Sequence, residues 1–243
     1  MTAALASPLL AYDTSTPTAR VALFSPSGVL LVGREKTAAR HAANLLPLVD
    51  QILREAGVAV AGLGAIACGA GPGSFTGLRV GLAVAKGLAL PTTLPLVLVP
   101  SLAALACDLA ETAARAPLLL PCLDAGKGQV YARLYEDRSG LVALGEADWV
   151  LAPDVLCRLA REAAAGRLLV AGGTGVDRYL EVMRRGLGAE ALRPSVPGPS
   201  AAAVARLAQD RLLRGEYDDI DTAVPRYGRP PDITRPKRPS IPG

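Results

Sequence analysis

A single histidine, His41, stands among the 243 residues. A two-imidazole metal site is therefore closed to one chain, and any Ser-His-Asp triad would have to use His41. The four cysteines, Cys68, Cys107, Cys122 and Cys157, are far apart and form no CxxC. Zinc binding and thioredoxin-type redox chemistry lack their ligands, and buried free thiols are the expected state. No apolar run approaches the ~18 residues of a membrane-spanning helix. The start, Met1 to Pro8, has no basic stretch ahead of its short apolar run, so a signal peptide is not expected. These absences lead to the expectation of a cytoplasmic protein without a membrane partner.

Charge is sparse too. Charged residues make up 20% of the chain against 51% hydrophobic, which supports a real core and argues against disorder. The net charge is +4. All of that surplus lies in the tail, where Arg226, Arg229, Arg235, Lys237 and Arg238 face one acid, Asp232. The remainder is neutral, so any electrostatic contact with nucleic acid is expected at the tail.

The hydrophobic pattern repeats. Short strands are expected at Leu9–Tyr12, Arg20–Phe24 and from Val29, with Ser25-Pro26-Ser27-Gly28 as a turn. A helix from about His41 to Ala56 follows, with Leu45, Val49, Ile52 and Leu53 on one face. Then come a strand at Leu63–Cys68, a glycine-rich loop, a helix to about Leu90, a strand at Leu96–Val99 and a helix over Ser101–Ala114. The second half reads as strands at Leu118–Leu123, Val130–Tyr135 and Leu141–Leu144, and a helix over Pro153–Ala165. A strand at Leu168–Ala171, one helix from the glycine turn 172–175 to about Arg185, and a last helix over Pro199–Arg214 complete it. The order βββαβαβα thus occurs about twice. Each half has an antiparallel meander feeding parallel crossovers, which gives a mixed sheet flanked by helices. The expected fold class is α/β, a duplicated ribonuclease-H-like or actin-like fold. It divides into lobes 1–114 and 115–225 and a basic, proline-rich tail, 226–243. Asp13 and Asp124 end the first strand of each half, where such folds face their cleft. With Thr14 and Ser15 they are the candidate remnant of a nucleotide site.

The strongest local signal is Gly71-Pro72-Gly73-Ser74-Phe75-Thr76-Gly77-Leu78-Arg79-Val80-Gly81. No Lys-Ser/Thr follows its second glycine as a Walker A loop requires. Ser74 or Thr76 suits a helix cap, and free N–H groups there would suit an anion. Gly73, Gly77, Gly81, Ala85 and Ala89 recur every four residues and make one smooth ridge. Glycine inside a helix costs about 1 kcal/mol against alanine, and close approach of another helix is the usual reason to accept it. The spacing runs well past the loop, which favours packing over phosphate binding. His41 has no paired nucleophile or second ligand, so a surface or capping role fits it better than catalysis.

The undecapeptide resembles that of the TsaB family, also called YeaZ. The resemblance extends to Leu10-Ala11-Tyr12-Asp13-Thr14-Ser15, to His41 with Leu45-Leu46-Pro47, to Lys86-Gly87-Leu88 and to Ser101–Ala106. Asp124-Ala125 with Val130-Tyr131, and Pro225-Arg226-Tyr227-Gly228-Arg229, complete it. It implies a non-catalytic partner of the transferase TsaD, joined by a small ATPase, TsaE. That assembly places a threonylcarbamoyl group on adenosine 37 of tRNAs reading ANN codons, so tRNA contact is implied only through the complex. The HxxxH metal pair of TsaD would fall at Ser101 and Leu105, which cannot bind metal as two imidazoles do. No catalytic or metal residue is therefore expected, and older glycoprotease or M22 peptidase names carry no ligands here. No cofactor is implied for the chain alone, with ATP and Mg²⁺ at the interface of the complex. The implied partner face comprises His41, Leu45, Val49 and Ile52 with Gly73, Ser74, Phe75, Thr76, Gly77, Arg79, Gly81 and Ala85. Two helices from each side would make a four-helix contact, and the isolated chain would form a homodimer through it. The family pattern Asp-Ala-Arg with Glu-Val-Tyr here reads Asp124-Ala125-Gly126 with Gln129-Val130-Tyr131, so an Arg and a Glu are missing, and Lys127 is a partial stand-in. The rival expectation is an ATP-using actin-like enzyme acting alone through Asp13 and Asp124.

Overall fold

The computed structural model describes residues 6–27, 29–37, 41–112, 118–137 and 140–229, with backbone only at 36–37 and 41–44. The first half runs β1 (Leu9–Asp13), β2 (Thr18–Phe24), β3 (Leu30–Thr37), α1 (His41–Ala56), β4 (Ala65–Gly71), α2 (Phe75–Ala89), β5 (Leu96–Pro100) and α3 (Ser101–Thr112). The second runs β6 (Leu118–Gly126), β7 (Gln129–Asp137), β8 (Leu141–Leu151), α4 (Pro153–Ala164) and β9 (Leu169–Gly172). It continues with α5 (Thr174–Arg178), α6 (Leu180–Leu187), β10 (Leu192–Arg193) and α7 (Ala201–Leu213). The sheet orders are β3-β2-β1-β4-β5 and β10-β9-β6-β7-β8. Counted from its own first strand, each half has the same order, with an antiparallel meander on one side and parallel strands on the other. This is the duplicated ribonuclease-H-like, actin-like fold.

Central strands are buried on both faces, so they read as continuous apolar runs. β1 and β4 are buried along their whole lengths. Alternation then sends each side chain to one of two cores. Leu10, Tyr12, Leu23, Ile66 and Cys68 meet Leu45, Val49 and Ile52 of α1 and Leu82 and Ala85 of α2. Leu9, Ala11, Phe24, Ala67 and Val99 meet Ala203, Val204 and Ala208 of α7 with Ala104 and Cys107 of α3. The opposite face of α3, through Leu102, Leu105 and Leu109, packs on Leu119, Leu123, Tyr131 and Val170 of the second sheet. Helix α3 therefore lies between the sheets, and α7, last in the chain, covers the first sheet. Leu118, Leu120, Cys122 and Val130 form the remaining core with α4 and α6.

The details depart from the sequence reading in several places, among them an unexpected short strand, β10. The third and eighth strands run on to Thr37 and Leu151, past the ends their apolar residues suggest, because hairpin pairing carries polar residues along. The single helix expected up to Arg185 is two, α5 and α6, because Tyr179 between them leaves helical geometry at φ −117°. The β6–β7 connection is a two-residue turn in which Lys127 and Gly128 take φ of 52° and 76°, the left-handed geometry that favours the strands' twist.

Asp108 of α3 ties the two exchanged helices together. Its carboxylate accepts from the Ser200 backbone N–H (2.8 Å) and hydroxyl (2.6 Å), and that hydroxyl caps α7 by accepting from the Ala203 N–H. Burial disfavours the charge more than these bonds favour it, and the carboxyl is pushed up to about 6. The folded state thus holds the proton more tightly than the unfolded chain. Asp108 therefore costs stability progressively as pH rises from about 4 to about 6, and the cost is fully present above that. In Asp108→Asn this contribution is expected to vanish. Relative to the variant, the wild type should lose roughly 2 kcal/mol between pH 4 and pH 7. Urea unfolding of both proteins across that range measures it, and parallel curves would contradict the assignment.

Candidate functional site

The loop after β1 carries Asp13, Thr14, Ser15 and Thr16, all of them buried. Oδ1 of Asp13 accepts from the Ser15 N–H (2.8 Å) and hydroxyl (2.5 Å), and Oδ2 accepts from the Ser101 hydroxyl (2.7 Å). The Ser101 oxygen in turn accepts from the Gly71 N–H at 3.1 Å. Burial pushes the Asp13 carboxyl up from the usual carboxylate range, against the pull of the Ser15 and Ser101 bonds. Gly69 beside it has no room for a Cβ, which would overlap Oδ2. Only 1% of Asp13 is exposed, so its oxygens are spent inside the fold. Ser101, which stands where the resemblance puts one imidazole of a metal pair, is a partner of Asp13. Leu105, at the other position, is buried against the second sheet.

The same loop receives α2. The Thr14 hydroxyl donates to the Gly77 carbonyl (2.9 Å), Tyr12 Oη donates to the Gly81 carbonyl (2.9 Å), and the Ser74 N–H donates to the Ser15 carbonyl (2.7 Å). A Cβ on Gly73 would overlap the Ser15 carbonyl. One on Gly77 would overlap the Thr14 carbonyl, and one on Gly81 the Thr14 hydroxyl. The ridge exists so that the helix can touch its own strand end. Ser74 is the cap, accepting from the Gly77 N–H at 3.2 Å.

This corrects the expected partner face. Gly77, Gly81 and Ala85 are buried under α2, and Leu45, Val49 and Ile52 are buried under α1. All six are buried, and of them only Val49 also borders the outer groove between α1 and α2. Of the remaining candidates, Phe75, Thr76 and Arg79 are exposed, Gly73 and Ser74 are half-buried, and the His41 side chain lies outside the described residues. The outer side of α2 instead shows Ala83 and Gly87, flanked by the half-buried Val80, Val84 and Leu88. Between it and α1 lies a largely apolar groove of about 470 Å³ lined by Leu46, Pro47, Val49, Leu53, Val60 and Leu88, with the Asp50 carboxylate among them. Leu46 at its edge is 51% exposed. The four-residue spacing of small residues was a true signal of close approach, but spacing alone does not say which neighbour approaches.

In the second half, Asp124 is half-buried and pairs with Arg178 at 3.2 Å. Its Oδ1 accepts from the Gly126 N–H (2.9 Å), and its own N–H donates to the Thr174 hydroxyl (3.0 Å). In the nearby turn, a Cβ on Gly173 would overlap the Cys122 carbonyl, so packing explains that glycine. Among the described residues no cluster of three or more His, Cys, Asp or Glu could hold a metal ion.

The start of the tail is where the sequence reading saw least. The Arg226 N–H donates to the Ala70 carbonyl at 2.8 Å. Gly228 lies too close to the Tyr131 ring for any side chain. Arg229 donates to Gln129 Oε1 (2.9 Å) and to the Ala125 carbonyl, with its guanidinium 5.9 Å from the Tyr131 ring centroid. Residues 225–229 thus bridge the 70–72 loop of the first half and the 125–131 hairpin of the second. Gln129, which stands where the family pattern has Glu, still accepts a bond from an arginine, supplied by the tail. Arg235, Lys237, Arg238 and Asp232 lie outside the described residues.

Comparison with known proteins follows from this geometry. Residues 32–164 match the family model described as TsaD, tRNA N6-adenosine threonylcarbamoyltransferase. The chain is 31% identical over 225 residues to the tRNA threonylcarbamoyladenosine biosynthesis protein TsaB of Escherichia coli K12, covering 91% of this chain and 94% of that one. The solved structure of YeaZ from Pseudomonas aeruginosa is 36% identical with a TM-score of 0.76, covering 91% of this chain and 99% of that one. A tRNA N6-adenosine threonylcarbamoyltransferase of Erythrobacter litoralis is 38% identical over 98 residues, 40% of this chain and 28% of that one.

The two kinds of glycine on α2 separate in a stability measurement. Gly81→Ala forces its Cβ into the Thr14 hydroxyl and breaks the bond to Gly77, and should cost about 2–3 kcal/mol. Gly87 has nothing within 4 Å of an added Cβ, so Gly87→Ala should gain up to about 1 kcal/mol from helix propensity. Denaturant unfolding reads both, and equal effects would contradict the inward-facing ridge.

Proposed function

The chain belongs to the TsaB family, and from that premise we propose that it serves threonylcarbamoyladenosine formation on tRNA as the non-catalytic partner of a TsaD-like transferase. The observation that carries this reading is the contrast between its cleft and its surface. The cleft aspartate that an ATP-using relative would turn toward Mg²⁺ is enclosed by Ser15 and Ser101. The outer face of α1 and α2 offers a largely apolar groove in which Leu46 and the half-buried Leu88 meet solvent beside a single charged residue, Asp50. Apolar ground of this kind is usual where another chain docks. Ala83 and Gly87 let a partner helix come close, so two helices from each side can pack together.

On this reading the chain acts in the cytoplasm, where no membrane partner is needed. No described helix is long and apolar enough to cross a membrane. A TsaE-like ATPase joins the pair, and ATP and Mg²⁺ act at the interface of the assembly rather than in this chain's cleft. In isolation the same α1/α2 face would join two copies, because both occupants cover the same groove. The enclosure of Asp13 weighs against the rival reading of an actin-like ATPase working alone.

The test uses exposed positions, so that docking is lost without unfolding. Leu46→Glu, next to Asp50, and Ala83→Arg, on the exposed side of α2, each place a new charge on this face. Burying it against a partner should cost about 2 kcal/mol or more, at least a ten-fold loss of affinity for the TsaD-like subunit. The melting temperature of the chain should stay within about 2 °C. Co-purification of both variants with that subunit at wild-type yield would sink the proposal.

A further inference from the structure

The geometry points to a second working surface, which shares no lining residue with the α1/α2 groove, that contacts RNA directly: the patch formed by Phe75, Arg79, Arg226 and Tyr227. Phe75 and Tyr227 lie with ring centroids 4.9 Å apart and are 37% and 38% exposed. The Arg79 guanidinium stacks on Phe75 at 4.2 Å from the centroid, and its Nε donates to the Tyr227 hydroxyl at 3.0 Å. That stack orients the group and leaves both of its terminal nitrogens without an acceptor among the described residues. The Arg226 side chain is exposed and has no hydrogen-bond partner there either, while its backbone is pinned to Ala70.

Among the described residues most arginines pair with carboxylates. Arg20, Arg34, Arg54, Arg133, Arg167, Arg178, Arg184, Arg206, Arg211 and Arg214 all pair with carboxylates. Near Arg226, the Asp148 carboxylate is shared, pairing with Arg133 at 3.5 Å and feeling the Arg226 charge as well. The same strap ends in Arg229, after which the sequence adds Arg235, Lys237 and Arg238 against Asp232. Cations with free, planar donor forks beside exposed rings suit a polyanion that also presents unpaired bases. The guanidinium groups would bond phosphate oxygens, and the rings would stack looped-out bases. A peptide partner would need acidic groups to meet the same charge. RNA supplies both features at once.

This inference deepens the proposed role and rests on it for the choice of RNA, but its test runs on the isolated chain and needs no transferase. Fluorescence anisotropy with a labelled unmodified tRNA, from about 50 to 200 mM salt, measures it. The wild type should bind, with affinity falling steeply as salt rises. Arg79→Ala with Arg226→Ala should lower affinity about ten-fold at low salt and flatten the log–log salt slope by about two. Phe75→Ala should weaken tRNA binding several-fold yet leave a fully duplex RNA unaffected. Arg158→Ala is the control, since Arg158 is also exposed and unpaired among the described residues but lies on α4. It should keep wild-type affinity. Absence of binding by the wild type, or a double variant that binds as well as the wild type, would overturn the proposal. So would an equal loss in Arg158→Ala. A double variant that binds tRNA normally but loses the TsaD-like subunit would assign the patch to protein contact instead.

Discussion

Three hydrogen bonds and three missing side chains hold α2 against the end of β1, and most of the molecule's first half is arranged around that contact. Thr14, Tyr12 and the Ser15 carbonyl reach the backbone of α2 because Gly73, Gly77 and Gly81 carry nothing that would stand in the way. Polar groups of the β1–β2 loop, which would be costly to bury unpaired, find partners in the helix backbone and in Ser101. The loop that a phosphate-binding relative would leave open is thereby filled. Two helix glycines give up roughly 1 kcal/mol each in propensity, an acceptable loss where a side chain would expel the helix from the sheet.

The helix exchange extends this constraint to the whole chain. Helix α3 begins at Ser101, whose hydroxyl holds Asp13, and runs between the sheets to Asp108, whose carboxylate holds the start of α7. One helix thus links the aspartate of the first strand to the last helix of the chain. Neither sheet is covered by helices of its own half alone, so each depends on the other half for part of its core. The strap at 225–229 adds a third crossing near the 70–72 loop. It binds Ala70 on one side and Gln129 on the other.

Much of this was legible in the residues, and what was not had a physical reason. The repeated strand order could be read because apolar runs such as 9–12 and 118–123 end in Asp, Gly or Pro. Helix α1 was legible from Leu45, Val49, Ile52 and Leu53, but their burial beneath their own helix was misassigned to a partner. An apolar stripe announces that something covers it, and in a protein with its own sheet that something is the sheet first. The glycine ridge failed in the same way. A spacing of four marks a face, and only the position of β1 says that the face turns inward. The pairing of Arg229 with Gln129 spans 100 residues of sequence, and no local pattern reports such a contact. The break at Tyr179 has no Gly or Pro at the break itself, so propensity gave no warning.

The distribution of charge joins these observations. Outside the tail the chain is neutral in sequence, and among the described residues most arginines are spent on carboxylates. Positive potential is left where the strap meets α2, because Arg79 is turned to the surface by its stack on Phe75 and Arg226 is fixed by its backbone alone. The groove proposed for the protein partner touches α2 at Leu88, toward the other end of the same helix. A partner seated on α1 and α2 and a polyanion lying along the strap would then share one helix. The ridge that seats α2 on Tyr12, Thr14 and Ser15 turns the opposite side of the helix outward. Closing the interior and offering the surface are two consequences of a single helix placement.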